Sequence, residues 1–414
     1  MLAQLPPELH LACLLCRPTL SDAVLESARE TVGSGLDWDC FLDFVLWQRI
    51  FPLVSQHASG ALADAIPPRV RSELRAYAIA NGKRADAMAN ELAAVLLALD
   101  NAAIRAVPLK GPVLIERIWG DSRLCVSHDL DILVKADEAR RATDVLAKRD
   151  YHPDDTYLRG FPSWRFGSHS LPMVRSPEIA FTMRIDLHTA VASEWIRSPL
   201  GADSLWERLQ RGEFRGAPIR LLPDDWNLLL VALHALGHSF QALRWAAELH
   251  GLMEICGATW PAVLNLAERL RVRDEVVLAR KVCDMILGEE IVRPEAASRL
   301  LLRLAGGPFG PPPSRLADRR LQVAVRRRMT AKLAYLGSAL FRPLPSDVAF
   351  LPLPSWLIGA YYLVRPIRLA MKYFLAFPLL TVWKRLSGRG RSSDDFVQDR
   401  ICRRTPGWKQ SGAQ

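Results

Sequence analysis

Two aspartates lie one residue apart in an otherwise apolar segment, Ser-His-Asp-Leu-Asp-Ile-Leu-Val over residues 127–134. If this segment is a strand, Asp129 and Asp131 point to the same face, because side chains alternate along a strand. Two like charges there are costly to bury and repel each other unless a cation lies between them. The spacing therefore predicts a divalent metal site; the alternative is a turn and helix cap with Asp131 solvated at a strand edge.

The residues upstream of the aspartates predict a phosphate-binding turn. Residues 103–109 have the pattern of a short buried strand, which runs through Lys110 and Gly111 into the helical pattern of residues 113–119. Glycine lets the backbone approach a ligand, and the free amides at a helix start can hold a phosphate. Lys110 would add a positive charge beside those amides.

The downstream residues predict a helix and a further strand. The helix is expected over residues 139–148 and the strand over residues 179–188. Asp186 on that strand would bring a third carboxylate to the aspartate pair. His188, next to the strand end, is either a secondary site residue or a structural hydrogen bonder.

These elements in this order resemble the nucleotidyltransferase fold of the DNA polymerase beta superfamily. Within that superfamily the chain is similar to the bacterial family of uncharacterised nucleotidyltransferases, which carry Leu-Lys-Gly, then an Arg shortly before Asp-x-Asp, then a strand ending in Asp-x-His. The matching residues here are Leu109-Lys110-Gly111, Asp129-Leu130-Asp131 and Asp186-Leu187-His188. Two features differ from the usual pattern: Lys-Gly stands where the superfamily commonly has Gly-Ser, and Arg123 lies six residues before Asp129.

The resemblance implies transfer of an NMP from an NTP to an acceptor hydroxyl, with release of pyrophosphate. It implies Mg²⁺ as the cofactor, with Mn²⁺ as a substitute, because hard cations prefer oxygen ligands. The catalytic and metal-binding residues that it implies are Asp129, Asp131 and Asp186. The nucleotide-binding residues that it implies are Lys110, Gly111, Arg123, His234 and Arg244. The alternative is a catalytically silent scaffold that binds a nucleotide or a partner; the presence of all three carboxylates and Lys110 favours the enzyme.

Two histidines, His234 and His238, lie four residues apart, and on a helix they would share one face. In a functional role they would bind a metal as a pair, or contact a nucleotide phosphate together with Arg244. In a structural role they would be partly buried helix residues with local hydrogen bonds. No third ligand motif such as His-Glu-x-x-His accompanies them, which favours the structural interpretation.

The overall pattern predicts an α+β protein with N-terminal and C-terminal helical regions, and the resemblance implies that a small mixed sheet forms a polymerase beta-like nucleotidyltransferase core between them. The predicted division is residues 1–100 helical, 101–222 the catalytic core with a hairpin near 214–222, 223–305 helical, 306–313 a Gly/Pro linker, 314–386 a basic, aromatic-rich helical region, and 387–414 a disordered polar tail.

Composition constrains the class of protein. A chain of 414 residues that is 50% hydrophobic can form two or three domains with a substantial core. The seven cysteines lack a disulfide framework, and Cys13-Leu14-Leu15-Cys16 has no second Cys-x-x-Cys to complete a zinc site, so buried thiols are expected. No basic segment precedes the first apolar stretch, and the expected location is therefore the cytoplasm.

Charge is concentrated near the C-terminal end. Residues 314–386 contain 13 basic and two acidic residues, whereas the remainder has 41 basic and 42 acidic residues. The apolar runs of this region are shorter than the ~20 residues that span a bilayer, and their flanking Arg and Lys favour peripheral contact with an anionic membrane on its inner face. Packing on the enzyme body is an equal alternative, and nucleic acid is less favoured. An RNA-modifying toxin or antitoxin is a further alternative, against which the nearly neutral catalytic half argues.

Overall fold

A computed structural model describes residues 6–154, 170–175, 181–191, 205–256, 260–288, 315–326 and 328–372. It shows a mixed α/β arrangement with a small mixed sheet, a separate two-stranded sheet and many helices. This agrees with the predicted class of a small mixed sheet among helices. The predicted linker at 306–313 and the predicted tail at 387–414 lie outside the described residues.

Helices precede the sheet in the N-terminal part of the chain. They are α1 (Pro7–Leu15), α2 (Asp22–Gly33), α3 (Trp38–Trp47), α4 (Phe51–Ser59) and α5 (Pro68–Asn101). The long helix α5 starts at a proline, which suits the first helical turn because it has no amide hydrogen to leave unpaired. Its buried residues Leu92, Leu96 and Leu99 recur at helical spacing and pack beneath the sheet, in one core with Ile132 and Ile185.

The central part of the chain forms the two sheets. Its elements are β1 (Ala106–Pro108), α6 (Pro112–Trp119), β2 (Leu130–Val134), α7 (Ala139–Ala147), β3 (His152–Pro153), β4 (Ser170–Arg175), β5 (Met183–His188), β6 (Gln210–Phe214) and β7 (Ala217–Leu221). The five-stranded sheet has the order β1-β2-β5-β4-β3, and β6 pairs with β7. Strands β2 and β5 are parallel, whereas the other neighbours in this sheet are antiparallel.

The predicted helix at 139–148 and the predicted hairpin near 214–222 are confirmed by α7 and by the pair β6–β7. The strand expected over residues 103–109 is shorter, since β1 begins only at Ala106. Helix α5 continues to Asn101, and Ala103 has φ +55°, a left-handed conformation that does not occur in a regular strand. The first residues of the expected strand, 103–105, therefore belong to the turn that follows α5.

Helices follow the sheets. They are α8 (Asp224–Gly237), α9 (Leu243–Ile255), α10 (Trp260–Arg269), α11 (Arg273–Leu287), α12 (Arg315–Val325), α13 (Met329–Phe341), α14 (Pro345–Phe350) and α15 (Tyr361–Ala370). Apolar residues of α8–α11 share one core with those of α1 and α3, and Val107, Leu109 and Leu133 of the sheet join it. The sheet thus has α5 and α7 on one face and these helices on the other. The predicted boundaries at residues 100, 222 and 305 stay predictions.

In the basic C-terminal region, Leu321 and Val325 of α12 belong to the large core, whereas Val348 of α14 and Tyr361 and Val364 of α15 form a small cluster of their own. In the part of the chain that the structure describes, no helix combines the length and the apolar character needed to cross a membrane.

The cysteines in the described ranges are all buried, and none of them forms a disulfide bond. This confirms the expected buried thiols for Cys13 and Cys16, whereas Cys402 lies outside those ranges.

Candidate active site

Two neighbouring strands bring the predicted carboxylates together. The residues of β5 alternate in burial, and Arg184, Asp186 and His188 lie on its less buried face. Strand β5 runs parallel to β2 in a register that places Asp186 opposite Asp131. Because residues opposite each other in a sheet point to the same face, the two carboxylates are neighbours.

The structure adds a histidine to these carboxylates. His188 donates a hydrogen bond through Nε2 to Oδ1 of Asp131 at 2.8 Å. One ligand atom each from Asp131, Asp186 and His188 lies within 4.8 Å of the others, a spacing that suits a shared metal ion. Carboxylate oxygens and an imidazole nitrogen together suit a divalent cation of the first transition row, and the oxygens also suit Mg²⁺.

Asp129 is next to this group and not part of it. It lies one residue before β2, so the strand periodicity that was expected to align it with Asp131 does not apply. Its carboxylate accepts a hydrogen bond from Oγ of Ser127 at 3.1 Å. A metal-binding role of Asp129 stays a prediction.

Lys110 lies against the buried carboxylate of Asp131. The strand pairing of β1 extends by one hydrogen bond, from the amide of Leu109 to the carbonyl of Asp131 at 3.0 Å, and this brings Lys110 alongside. Its Nζ is 3.1 Å from Oδ2 of Asp131. Burial would raise the pKa of Asp131, but the charge of Lys110 and the hydrogen bond from His188 hold that pKa well below its usual range. Asp131 is therefore ionised and ready to bind a cation.

His234 contacts the same lysine. Nζ of Lys110 donates to Nδ1 of His234 at 3.4 Å. Burial and the charge of Lys110 hold the pKa of His234 well below its usual range, and His238 contributes in the same direction. His238 has its pKa lowered to about 4 by burial and by the charges of Lys110 and Arg244. Both imidazoles are thus neutral near pH 7; they pack against Trp245, with ring centroids 5.7 Å and 4.6 Å from it.

Gly111 shapes the turn that leads from Lys110 into α6. It has φ +75° and ψ −142°, a conformation that is open only to glycine at low cost. Helix α6 starts at Pro112, and no side chain caps its first turn. No side chain therefore occupies the amides of this turn, and their binding of a phosphate stays a prediction.

The Gly111→Val variant is expected to test this turn. A Cβ atom would meet nothing within 4 Å, so the cost comes from the backbone conformation alone, at about 1–3 kcal/mol. We expect a lower melting temperature and weaker binding of Mg²⁺–ATP. The matched control is Gly33→Val at the end of α2, where a Cβ also meets nothing within 4 Å and φ is not positive. Equal melting temperatures and nucleotide affinities of the two variants would contradict this role.

Two predicted nucleotide-binding arginines have other partners. Arg123 is exposed and forms an ion pair with Asp121, with Nη2 at 2.8 Å from Oδ2. Its described contacts do not include the carboxylates of β2 and β5. Arg244 in α9 donates through Nη1 to the carbonyl of Val126, and its Nε lies 3.2 Å from Oε1 of Glu248. Arg244 therefore supports the segment before Asp129.

Arg184 is a site residue that the sequence reasoning missed. Its Nε donates to Oδ1 of Asp186 at 3.1 Å, and its Nη1 lies 3.5 Å from Oδ2 of Asp154. Burial raises the pKa of Asp186, and the charges of Asp129 and Asp131 add to this effect, although Arg184 opposes it. The position of Arg184, two residues before Asp186 on a predicted strand, was a signal that would have placed it on the same face.

Two further arginines near the aspartates, Arg49 and Arg84, come from the N-terminal helices. No local motif marks them, because only the packing of α5 and of the α3–α4 turn against the sheet brings them here. Arg84 donates through Nη2 to Nδ1 of His128 at 3.1 Å. Asp129 raises the pKa of Arg49, but less than burial and the charge of Arg244 lower it.

The comparisons with known proteins bear on the whole of this region. A sequence model of the family described as "Uncharacterised nucleotidyltransferase" matches residues 34–288, which is more than half of the 414 residues. The matched range contains every predicted site residue. Among curated proteins and among solved structures, no match to the chain was found.

Proposed function

The chain belongs to the family of uncharacterised nucleotidyltransferases, and we propose on this basis that it transfers an NMP from an NTP to an acceptor hydroxyl with release of pyrophosphate. The observation that carries the proposal is the register of β2 and β5, which pairs Asp131 with Asp186 and brings His188 onto Asp131. A polymerase beta-type superfamily and a bacterial origin are further parts of the proposal; they rest on the motif resemblance.

The proposed cofactor is Mg²⁺, with Mn²⁺ as a substitute. Asp131 and Asp186 offer the oxygen ligands that Mg²⁺ prefers, and His188, with a ligand atom within 4.8 Å of theirs, also suits Mn²⁺. The proposal adds Asp129, one residue before β2. A bound cation would neutralise charge on the phosphate oxygens and lower the pKa of the attacking hydroxyl. Lys110 holds Asp131 in the ionised form that such an ion requires.

The residues around the carboxylates have distinct proposed roles. Lys110 and the Gly111 turn bind the triphosphate, with His234 behind Lys110. Asp186 takes the proton of the acceptor hydroxyl, whose oxygen bonds to the α-phosphorus as the bond to pyrophosphate breaks. A carboxylate whose pKa is raised by burial is a better proton acceptor than an ordinary one. Nucleotide binding by Arg123 and Arg244 stays a prediction, because both side chains have other partners.

The silent scaffold is the alternative to this enzyme. The test is incubation of the protein with each NTP, labelled at the α-phosphate, together with Mg²⁺ and cell extract. The proposal expects label in a new product with at least one NTP. No transfer with any NTP, from a protein that is folded by circular dichroism, would favour the scaffold.

A second candidate activity, contact with an anionic membrane, is favoured by the surface of residues 329–371. Of the 17 large apolar side chains that are exposed in the described residues, 13 lie in this segment. Helix α13 exposes Met329, Leu333, Leu336 and Leu340, at the spacing of one helix face. The acidic residue of the segment, Asp347, is buried in ion pairs with Arg365 and Arg368, so the exposed charge is positive. A peripheral location on the inner face of a membrane is proposed on this basis.

The Trp356→Ala/Leu363→Ala double variant should weaken this contact. These side chains are 78% and 67% exposed, so their loss leaves the fold intact and removes apolar area from the membrane contact. Partition into phosphatidylcholine–phosphatidylserine vesicles, measured by sedimentation, should fall clearly, and vesicles of phosphatidylcholine alone should bind little. The control is Ile79→Ala, which removes a 53% exposed apolar side chain from α5. If the intact chain does not sediment with either vesicle, the membrane proposal is wrong.

A further inference from the structure

Two arginines converge on the segment that leads into β2. Arg244 binds the carbonyl of Val126. Arg84 reaches the same segment from α5 and donates to Nδ1 of His128 at 3.1 Å. A guanidinium group only donates hydrogen bonds, so this imidazole nitrogen is the acceptor and adds no negative charge.

Arg49 lies near these two arginines because the turn between α3 and α4 contacts the start of α9. Gln48, which precedes Arg49, is buried, and its Oε1 accepts a hydrogen bond from the amide of Leu243 at 2.6 Å. Leu243 precedes Arg244, so this single bond fixes the turn that carries Arg49 beside the start of α9. Arg49 itself has φ +57°, a conformation that costs an ordinary residue about 1–2 kcal/mol. The surrounding structure therefore holds Arg49 in place against a backbone cost.

The guanidinium of Arg49 has no hydrogen-bond or ion-pair partner among the described residues. The side chain is half-buried, and burial, followed by the charges of Arg244 and Arg84, lowers its pKa; Asp129 attracts it without forming an ion pair. Arg244 has the carboxylate of Glu248 at 3.2 Å from its Nε, but Arg49 and Arg84 form no ion pair among the described residues. A partly buried charge without such a partner is unfavourable unless an anion accompanies it. Arg84 also has an open donor, since its Nε is buried without a partner.

Arg84 lies on the side of β2 away from the Lys110–Gly111 turn, whereas the charges of Arg244 and Lys110 both act on His238. In the sheet, β1 and β5 flank β2 on opposite sides, and Lys110 follows β1. Arg84 contacts His128 before β2 and lies 5.3 Å above the ring of Phe181, which precedes β5. Arg84 therefore reaches toward the β5 side, where Asp186 lies.

We propose that Arg49 and Arg84, with Arg244 beside them, form a subsite that binds a phosphate group carried by the acceptor. The assignment to the acceptor rests on the proposed function, in which Asp186 receives the acceptor's proton. Guanidinium groups bind phosphate through paired, charge-assisted hydrogen bonds, and a phosphate dianion matches several positive charges better than a single carboxylate does. The acceptor is accordingly a phosphate-bearing molecule.

Binding of inorganic phosphate to the full chain, measured by calorimetry, tests the subsite. We expect Arg49→Gln and Arg84→Gln each to weaken binding about tenfold or more, because each removes charge-assisted hydrogen bonds to the anion. Arg49→Lys should bind phosphate with intermediate affinity, since lysine keeps the positive charge but lacks the paired N–H donors of a guanidinium group. The matched control is Lys83→Gln, the exposed neighbour of Arg84 on the same helix, which should leave affinity unchanged. Absence of phosphate binding to the folded wild type, or equal loss in Lys83→Gln, overturns the subsite.

A second titration identifies the source of the phosphate. With a non-hydrolysable ATP analogue and Mg²⁺ at saturation, inorganic phosphate should still bind, and Arg49→Gln should leave the affinity for the analogue unchanged. If the analogue displaces phosphate and Arg49→Gln weakens the analogue, the cluster holds the nucleotide and the acceptor assignment is wrong. If the wild type binds phosphate through these arginines but binds no nucleotide, the subsite stands and the transferase proposal fails.

Discussion

The Asp131→Asn variant is expected to lose metal-dependent NTP binding and to transfer nucleotide at least about 10³-fold more slowly, since a metal clamp supplies several kcal/mol of transition-state stabilisation. Asp131 is the hub of the site: it lies opposite Asp186, accepts from His188 and pairs with Lys110. Asparagine keeps the size of the side chain and removes its charge, so a loss of NTP binding would indicate that the charge is needed to bind the cation. Calorimetry with Mg²⁺ and a non-hydrolysable NTP measures it.

The control for Asp131→Asn is Asp64→Asn, which removes an equal charge from an exposed ion pair with Arg29. Such surface pairs contribute little, about 0–1 kcal/mol, so binding and melting temperature should match the wild type. The double variant Asp129→Asn with Asp131→Asn should show no metal-dependent NTP binding at all. Unaltered binding in this double variant would sink the metal assignment.

The Asp186→Asn variant is expected to separate chemistry from binding. Asp186 faces the acceptor in the proposed reaction, so its loss should lower transfer about 10²–10⁴-fold, the range typical of a general base. Metal-dependent nucleotide affinity should fall less than in Asp131→Asn, because one proposed metal ligand is lost while Asp131, Lys110 and the Gly111 turn are kept. Pyrophosphate release and calorimetry, measured on the same preparation, give the two quantities.

A matched control for Asp186→Asn is Asp154→Asn. Both carboxylates contact Arg184, at 3.1 Å for Asp186 and 3.5 Å for Asp154, but only Asp186 belongs to the metal-ligand group. The control variant therefore perturbs the same arginine without removing a proposed ligand. Equal losses of transfer in the two variants would mean that Arg184, and not the Asp186 carboxylate, is what matters.

The strands of this site could be predicted from sequence because their signals are local. The apolar alternation in the strand predicted at 179–188 specifies β5, although β5 begins only at Met183, and the apolar run after Asp129 specifies β2. The approach of Asp186 to Asp131 came from the motif resemblance, since a sequence alone does not give the register between two strands. Gly111 was also a local signal for the turn before α6, although its positive φ was not predicted.

The parts that were missed depend on packing between distant segments. Arg49 reaches the site only because Gln48 binds Leu243, 195 residues away in sequence. The placement of Asp129 one residue before β2 depends on where the strand pairing begins, which periodicity does not reveal. The ion pair of Arg123 could have been predicted from the sequence, however, because Asp121 stands only two residues before it.

The central claim is that this site moves the α-phosphoryl group of an NTP, and the most direct measurement is the fate of two labels. NTP labelled at the α-phosphate should place its label in the product, and NTP labelled at the γ-phosphate should release its label as pyrophosphate, with both signals absent in Asp131→Asn. Label from the γ-phosphate in the product, or α-label transfer that persists in Asp131→Asn, would contradict the account.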